Sequence, residues 1–412
     1  MSFTLATRAN REYSCVSLAG TSRGRRLRAQ DSRIRLGALQ PAAVRRAHET
    51  ICLCRNLFLL GSDRNCRLQF GRGSDPMQII QNRRTFLAGL TAAGGAQLFN
   101  IRPSKAAGEP PPETTSVRLG RWIDGSYCWA SLYLAGELMR ADGLTDVRYV
   151  QGDTNVDNTE WLTAGVTDFD FNMPSMHIRS IESGASIKIL TGVHTGCWEL
   201  RGNDSVNGIA ELKGKRVGIW AFNDHPHVFL SLMINYVGLD PVHEIEWVLG
   251  ISPMQDFIEG KVDAFLAGIT ELPGLRAKKI GHTIISNAVD RPWSQYYCCM
   301  VAGRTDYVDK YPAATKRILR AILKSIDFCA SDPASAAREL VDRGFLPSYD
   351  LALITLKEAQ HDRWRSYDSE DSVRFYALRM QETGMIKSSP QQIIAQGTDW
   401  RFLDELKHEL KL

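Results

Sequence analysis

The chain has 412 residues, 50 of them basic and 46 acidic, for a formal net charge of +4. The basic excess is confined to the N-terminus: residues 1–107 hold 18 of the basic side chains and five of the acidic ones, so the rest carries 32 against 41, a net of −9. That sign argues against a nucleic-acid-binding body, and the roughly 305 residues that remain suffice for two lobes of ordinary domain size.

Residues 1–76 contain 14 Arg, no Lys, and Cys15, Cys52, Cys54 and Cys66, with no sustained helical or strand period. A basic arm, a transit peptide, or an upstream stretch that is not made (with the true start at Met77) all fit; the last is the most economical, and disorder is expected if the stretch is made. Asn82-Arg83-Arg84-Thr85-Phe86-Leu87 has the form of a twin-arginine export signature. A short apolar run to Ile101 and the small-residue stretch Ser104-Lys105-Ala106-Ala107 complete an export signal over residues 77–107, too short and too rich in Gly and Ala to span a bilayer. The competing interpretation is a chance Arg-Arg before a buried helix. A periplasmic protein beginning near Gly108 is therefore expected.

Beyond the linker Glu109–Glu113 (EPPPE), short apolar runs alternate with helical stretches. Strands are expected at 117–121, 147–150, 169–172 and 187–192, with helices at 128–139, 158–164 and 175–183 between them. A second unit opens at Leu212-Lys213-Gly214-Lys215-Arg216, with strands at 217–220, 245–249, 264–267 and 283–286 and helices at 227–237 and 253–259. From about Tyr311 the pattern is helical to the end. This rhythm predicts open, mainly parallel sheets covered by helices. Five cysteines lie in this part, Cys128, Cys197, Cys298, Cys299 and Cys329. No CxxC occurs, no four-ligand zinc spacing is visible, and adjacent Cys298-Cys299 read as small buried hydrophobes in a strand.

Three segments carry a family resemblance. Glu211-Leu212-Lys213-Gly214-Lys215-Arg216-Val217-Gly218-Ile219, Gly260-Lys261-Val262-Asp263-Ala264-Phe265 and Gly165-Val166-Thr167-Asp168-Phe169 resemble, in order, stretches of periplasmic substrate-binding proteins of ABC importers, in the nitrate/sulfonate/taurine and thiamine-pyrimidine-precursor branch. The resemblance covers about residues 117–385. It implies a two-lobed periplasmic-binding-protein fold (type II), each lobe an open, mainly parallel α/β sheet flanked by helices, with a helical C-terminal segment. Lobe one is expected at 115–197 and 301–412, and lobe two at 198–300. The crossings are expected near Gly192–Gly202 and Tyr296–Gly303, with closure by hinge motion. Asp168 and Asp263, each after a helix end and before a strand, are expected to hold turns through side-chain to backbone hydrogen bonds.

Ligands of open α/β sheets bind beyond the carboxyl ends of strands, which selects the candidate contacts. Trp122, Asp124, Ser126 and Tyr127 follow the first strand; the competing reading is an N-cap with core aromatics. Ser175 stands where a helix begins, as a cap, a contact or both. His194 and Glu199 lie near the first crossing, where a structural histidine is the alternative. Asn223, Asp224 and His225 precede a lobe-two helix and are equally suited to capping it. Glu271 and Trp293 complete the set; the departure at Ile269 and Thr270 from the family's proline-rich stretch puts that wall in doubt. His225 and His227 lack a third metal ligand, and no metal or cofactor is expected.

The expected function is capture of a small organic solute or oxyanion (taurine or another sulfonate, nitrate, a pyrimidine-like compound) by a monomer serving a membrane permease and an ATPase, without enzymatic activity or nucleic acid. No Walker A motif occurs, so the ATPase is a separate chain. The alternatives are a ligand sensor for a membrane receptor and, by resemblance, a pyrimidine-precursor synthase. Relatives of that last kind use a Lys-bound pyridoxal phosphate and iron and carry a cysteine-rich motif, of which only Cys298-Cys299 stand here. The scarcity of Arg in the candidate loops, apart from Arg121, Arg179 and Arg201, tilts the expectation toward a neutral or zwitterionic solute.

Overall fold

The structure, a computed structural model, describes residues 5–9, 12–16, 109–122 and 126–410. The export signal expected at residues 77–107 and the candidate Asp124 lie outside the described residues, as does most of 1–76. The N-terminal unit, taken by itself, contains an antiparallel pair, β1 (Leu5–Ala9) and β2 (Glu12–Val16), in the register Leu5↔Val16. These short strands depart from the expected absence of strand character; Thr7, Tyr13 and Val16 are residue types that favour an extended chain.

The second unit begins with β3 (Ser116–Gly120), α1 (Ala130–Ala141), β4 (Asp146–Val150), α2 (Asn158–Thr163), β5 (Phe169–Asn172), α3 (Pro174–Glu182) and β6 (Ile187–His194). It continues with β7 (Trp198–Gly202), β8 (Arg216–Ile219), α4 (His225–Tyr236), β9 (Glu246–Leu249), α5 (Pro253–Ile258), β10 (Ala264–Gly268), α6 (Leu272–Ala277) and β11 (His282–Ser286). After β12 (Cys299–Arg304) come α7 (Thr305–Lys310), α8 (Pro312–Ser331), α9 (Pro333–Asp342), α10 (Tyr349–Glu358), α11 (Ser369–Glu382), α12 (Pro390–Gly397) and α13 (Arg401–Glu409). Among the described residues no helix is long and apolar enough to cross a membrane.

Two five-stranded sheets result, in the orders β4-β3-β5-β12-β6 and β9-β8-β10-β7-β11. They are built alike. In each, the first strand pairs in parallel with the second and third, and the third pairs antiparallel with a strand that adjoins a crossing, β12 or β7. The two-lobed α/β architecture with a helical C-terminal segment is the one expected. The sheets are mixed rather than mainly parallel, because Trp198–Gly202 and Cys299–Arg304 enter them as strands. Neither strand alternates buried and exposed residues, so neither carries the two-residue period that marks a strand in sequence.

The same local device opens each sheet. Gly165 and Gly260 close α2 and α5 with φ of 69° and 70°, a left-handed conformation that glycine adopts without Cβ strain. Three residues later, Asp168 accepts from the Arg118 backbone N at 2.8 Å and grips its guanidinium at 2.6 and 3.1 Å; Asp263 accepts from the Arg216 N at 3.0 Å and its guanidinium at 2.8 and 3.1 Å. The expected turn-holding role is what these contacts perform, with a bidentate arginine added.

One apolar core joins β3 and β5 to α1 and α8 through Leu119, Phe169, Leu132, Ile318 and Ile322. A second runs across both lobes, with Met176, Ile189 and Met300 of the first continuous with Val228, Phe229 and Leu266 of the second. Trp293, expected as a ligand contact, is 1% exposed inside it. Its ring meets Phe229 and Tyr236 of α4 at 5.5 and 5.6 Å and Phe375 of α11 at 5.5 Å, as a wedge between lobes.

Candidate functional site

The carboxyl ends of β3 and β5 bring together an aromatic group and buried polar atoms. Trp122, just past β3, lies 4.8 Å from the Trp161 ring of α2, and Trp129 lies 6.2 and 6.3 Å from these two. Beside them, a Cβ on Gly120 would come within 2.8 Å of both Trp129 and the Asp170 Oδ1, so the backbone of β3 approaches that carboxyl closely. Asp170 is fully buried; its Oδ1 accepts from the Phe171 N at 2.7 Å, and its Oδ2 has no hydrogen-bond partner among the described residues. Burial pushes its pKa well above its ordinary value, against the opposing hydrogen bonds of the Asn158 side chain and the Phe171 N–H.

A hydrogen-bonded chain then links the lobes. His225, at the start of α4, sets Nε2 2.6 Å from the Asn172 Oδ1 and 3.2 Å from the Asp157 carboxylate. Asn172 donates to Asp157 at 2.8 Å and to the Thr159 hydroxyl at 2.7 Å, and that hydroxyl lies 3.3 Å from His177 Nδ1. His177, fully buried, has Nε2 3.2 Å from the Met300 carbonyl, and burial lowers its pKa to about 4. Arg179 of α3 donates to the Asn223 carbonyl at 2.7 Å, a second bridge between lobes.

The remaining candidates separate by environment. Ser175 is the second residue of α3, whose cap is Met173; its buried Oγ makes no hydrogen bond. Ser126 holds the cap position of a short 3₁₀ turn, Tyr127–Trp129, without a side-chain cap bond. Tyr127 is packed in the lobe-one core, and burial raises its pKa while contact with the Ser348 backbone opposes the rise. Glu199 is 4% exposed and engaged by Arg276, by Arg201 at 3.3 Å and by the Thr283 hydroxyl at 2.9 Å, so its charge is matched within lobe two. Asp224 caps α4 through the His227 N at 2.8 Å, behind Asn223 in the left-handed region at φ 68°. Glu271 accepts from the Gly268 N at 2.8 Å, and burial raises its pKa.

His194 is buried beside Cys197, its Nδ1 3.3 Å from the Thr195 carbonyl. Burial works against its charge, yet the Cys128 sulfur nearby raises its pKa overall. The three arginines that stood open for an oxyanion have protein partners: Arg121 on the Gly344 carbonyl, Arg179 on Asn223, and Arg201 on Thr283 and the Ile280 and Gly281 carbonyls.

Asp170, Trp129 and Trp161 were not among the sequence candidates. The available signal was a charged residue inside the apolar strand Phe169-Asp170-Phe171, where an acid is costly unless paired. Elsewhere, a polar hollow of about 630 Å³ opens where the second crossing meets the helical tail, lined by Arg291, Gln360, Arg363, Tyr367, Asp368 and Asp371. Its Ala288 and Val289 lie just past the carboxyl end of β11, and its Gln360 pairs with Thr195, the residue that follows β6.

Residues 140–336 match the family model described as NMT1/THI5 like. The 4-amino-5-hydroxymethyl-2-methylpyrimidine phosphate synthase THI13 of Saccharomyces cerevisiae is 22% identical over 212 residues, 48% of this chain and 62% of that protein; the chain thus spans less than two thirds of that relative. The fold matches the periplasmic nitrate-binding protein NrtA of Synechocystis PCC 6803 with a TM-score of 0.59 at 14% identity, over 73% of this chain and 90% of that one. It also matches a putative periplasmic sulfonate-binding protein SsuA of Methylobacillus flagellatus KT, with a TM-score of 0.55 at 19% identity over 73% and 96%.

Proposed function

From the premise that this chain has the two-lobed periplasmic-binding-protein fold and is NMT1/THI5-like over residues 140–336, we propose that it is the extracytoplasmic solute-binding component of an ABC importer. Its ligand is a small organic solute bearing a cationic or hydrogen-bond-donating group. The observation that carries this reading is the Asp170 Oδ2, buried without a hydrogen-bond partner among the described residues, beside Trp122, Trp129 and Trp161 at the strand ends. A buried carboxyl there is compensated by a donor or a cation, whereas a bare oxyanion such as nitrate offers it neither and finds Arg121, Arg179 and Arg201 occupied. Ser175 Oγ supplies a further unpaired polar atom, and the indole faces supply apolar and cation–π contact. Of the solutes considered, an amino-bearing sulfonate or an aminopyrimidine suits this set.

Thermal denaturation of the purified protein against taurine, alkanesulfonates, nitrate, bicarbonate, amino acids and aminopyrimidines tests the proposal. A ligand at 100 times its Kd adds about 2.7 kcal/mol of stability. The expected result is a saturable shift with an amino-bearing solute that weakens at least about tenfold in Asp170→Asn, equivalent to about 1.4 kcal/mol. A shift confined to nitrate or unsubstituted sulfonates sinks the solute class. Conversion of a bound compound to a new product would move the chain to the synthase alternative, which draws on the likeness to THI13.

A further inference from the structure

Four cysteines and a histidine, scattered over 170 residues of sequence, converge where the chain crosses between the lobes. Cys128 comes from the turn that leads into α1, His194 from the end of β6, Cys197 from the link to β7, and Cys298 and Cys299 from the start of β12. Apart from half-buried Cys128, all are 6% exposed or less. Ligand atoms of Cys128, His194 and Cys197 lie within 4.8 Å of one another, as do those of Cys197, Cys298 and Cys299. Cys128 Sγ is 3.1 Å from Cys197 Sγ, which is 3.6 Å from His194 Nδ1 and 3.9 Å from its Nε2.

The geometry points to a buried zinc site formed by Cys128, His194 and Cys197, with the adjoining Cys298-Cys299 pair as the source of a fourth, tetrahedral ligand. With Zn–S of about 2.3 Å and Zn–N of about 2.0–2.1 Å, tetrahedral angles set the S–S edge at about 3.8 Å and the S–N edge at about 3.5 Å. The separation of 3.9 Å between the Cys197 Sγ and the His194 Nε2 is within about half an ångström of the second value. The Cys128–Cys197 separation of 3.1 Å is short of the first by a fraction of an ångström, and far longer than a disulfide bond of about 2.05 Å. Cys298 and Cys299, whose sulfur atoms lie within 4.8 Å of that of Cys197, stand ready to supply the fourth ligand from the start of β12, where the Cys299 backbone pairs in register with His194. Outer contacts already orient the ligands. The Thr195 carbonyl, 3.3 Å from His194 Nδ1, accepts a hydrogen bond from the Nδ1–H and leaves the Nε2 lone pair for the cation; Asn287 Oδ1 accepts from the Cys197 N at 2.8 Å.

Binding breaks three S–H bonds, releases their protons to solvent and forms three Zn–S bonds and one Zn–N bond, with no change of oxidation state. Cys128, His194 and Cys197 lie outside the adjacent Cys298-Cys299 pair, so sequence spacing alone does not disclose the set. The cation would tie both crossing segments to the turn that follows Trp122.

The test is metal analysis of the full chain purified without added metal, beside Cys197→Ser and Cys329→Ser; Cys329 is buried on α8 outside the cluster. The expected result is one more zinc per chain in the wild type and in Cys329→Ser than in Cys197→Ser, the leader cysteines being common to all three. Because Cys197→Ser may not fold, the wild-type protein is also stripped by a chelator under native conditions and titrated with Co²⁺. A tetrahedral thiolate site then gives a saturable sulfur-to-cobalt charge-transfer band that zinc abolishes. Equal zinc in folded wild type and Cys197→Ser, or a wild-type mass lower by two hydrogens with Cys128 joined to Cys197, overturns the proposal.

Discussion

At the scale of single residues, His177 shows most plainly what burial does. Its imidazole is fully enclosed, with the Met300 carbonyl on one side and the Thr159 hydroxyl on the other, and burial lowers its pKa from the ordinary 6.5 to about 4. The folded state therefore holds the neutral ring while the unfolded chain takes up a proton below pH 6.5. Stability is full above that pH and falls by up to about 1.4 kcal/mol per pH unit as pH drops toward 4. Urea denaturation between pH 7 and pH 4 should give a shallower loss for His177→Gln than for the wild type; parallel pH profiles would falsify the assignment. His227, partly buried and also lowered to about 4, leaves a residual slope in the variant. The histidines were legible in sequence as residues but not as environments. His225 was proposed for its place before a helix, and only the fold reveals that it reaches the other lobe.

At the scale of elements, the paired Arg–Asp grips are the part of the sequence reading that the structure explains most fully. The Gly-x-x-Asp turns were readable because they are local: a helix end, a left-handed glycine and a capping acid lie within four residues. Their arginine partners lie 50 and 47 residues upstream and leave no local mark. Replacing Asp168 by Ala should cost about 2–3 kcal/mol, because its carboxylate is nearly buried and serves both a guanidinium and a backbone N–H. Asp263→Ala should cost less, about 1–2 kcal/mol, since that carboxylate and its arginine are more exposed. Urea midpoints of the two variants decide the ranking, and a larger loss for Asp263→Ala would contradict it. β7 escaped the sequence reading for the opposite reason, and of β12 only the Cys298-Cys299 end was read as strand: each is buried on both faces, and a short, evenly buried run carries no period.

At the scale of the whole molecule, the lobes are joined by more than their crossings. Trp293 stands between Phe229, Tyr236 and Phe375, and the core that contains it is continuous through both lobes. Trp293→Ala should remove about 3–5 kcal/mol and loosen one lobe from the other. Calorimetry is expected to resolve the single wild-type transition into two; a single transition of unchanged midpoint would show that the wedge does not couple them. The two-lobed plan could be read from sequence because strand–helix alternation starts afresh near Lys213. The inter-lobe wedge could not, because its four aromatic residues belong to three separate elements. The same limit hid Asp170 and the cysteine cluster, whose members meet only when the two crossings run side by side.

The pairing of Cys299 with His194 has one more consequence. β6 and β12 are antiparallel neighbours, and everything between them, all of β7 to β11, leaves from one end of that ladder and returns to it. Topologically, the second lobe is the loop of a β-hairpin, enlarged until it holds a sheet of its own. Its own ends also meet, with the Asn287 N donating to the Trp198 carbonyl at 3.1 Å. Lobe two therefore has the connectivity of an inserted cassette: both its entry and its exit are clasped, and a tight turn in its place would leave the strand order of the first sheet unbroken.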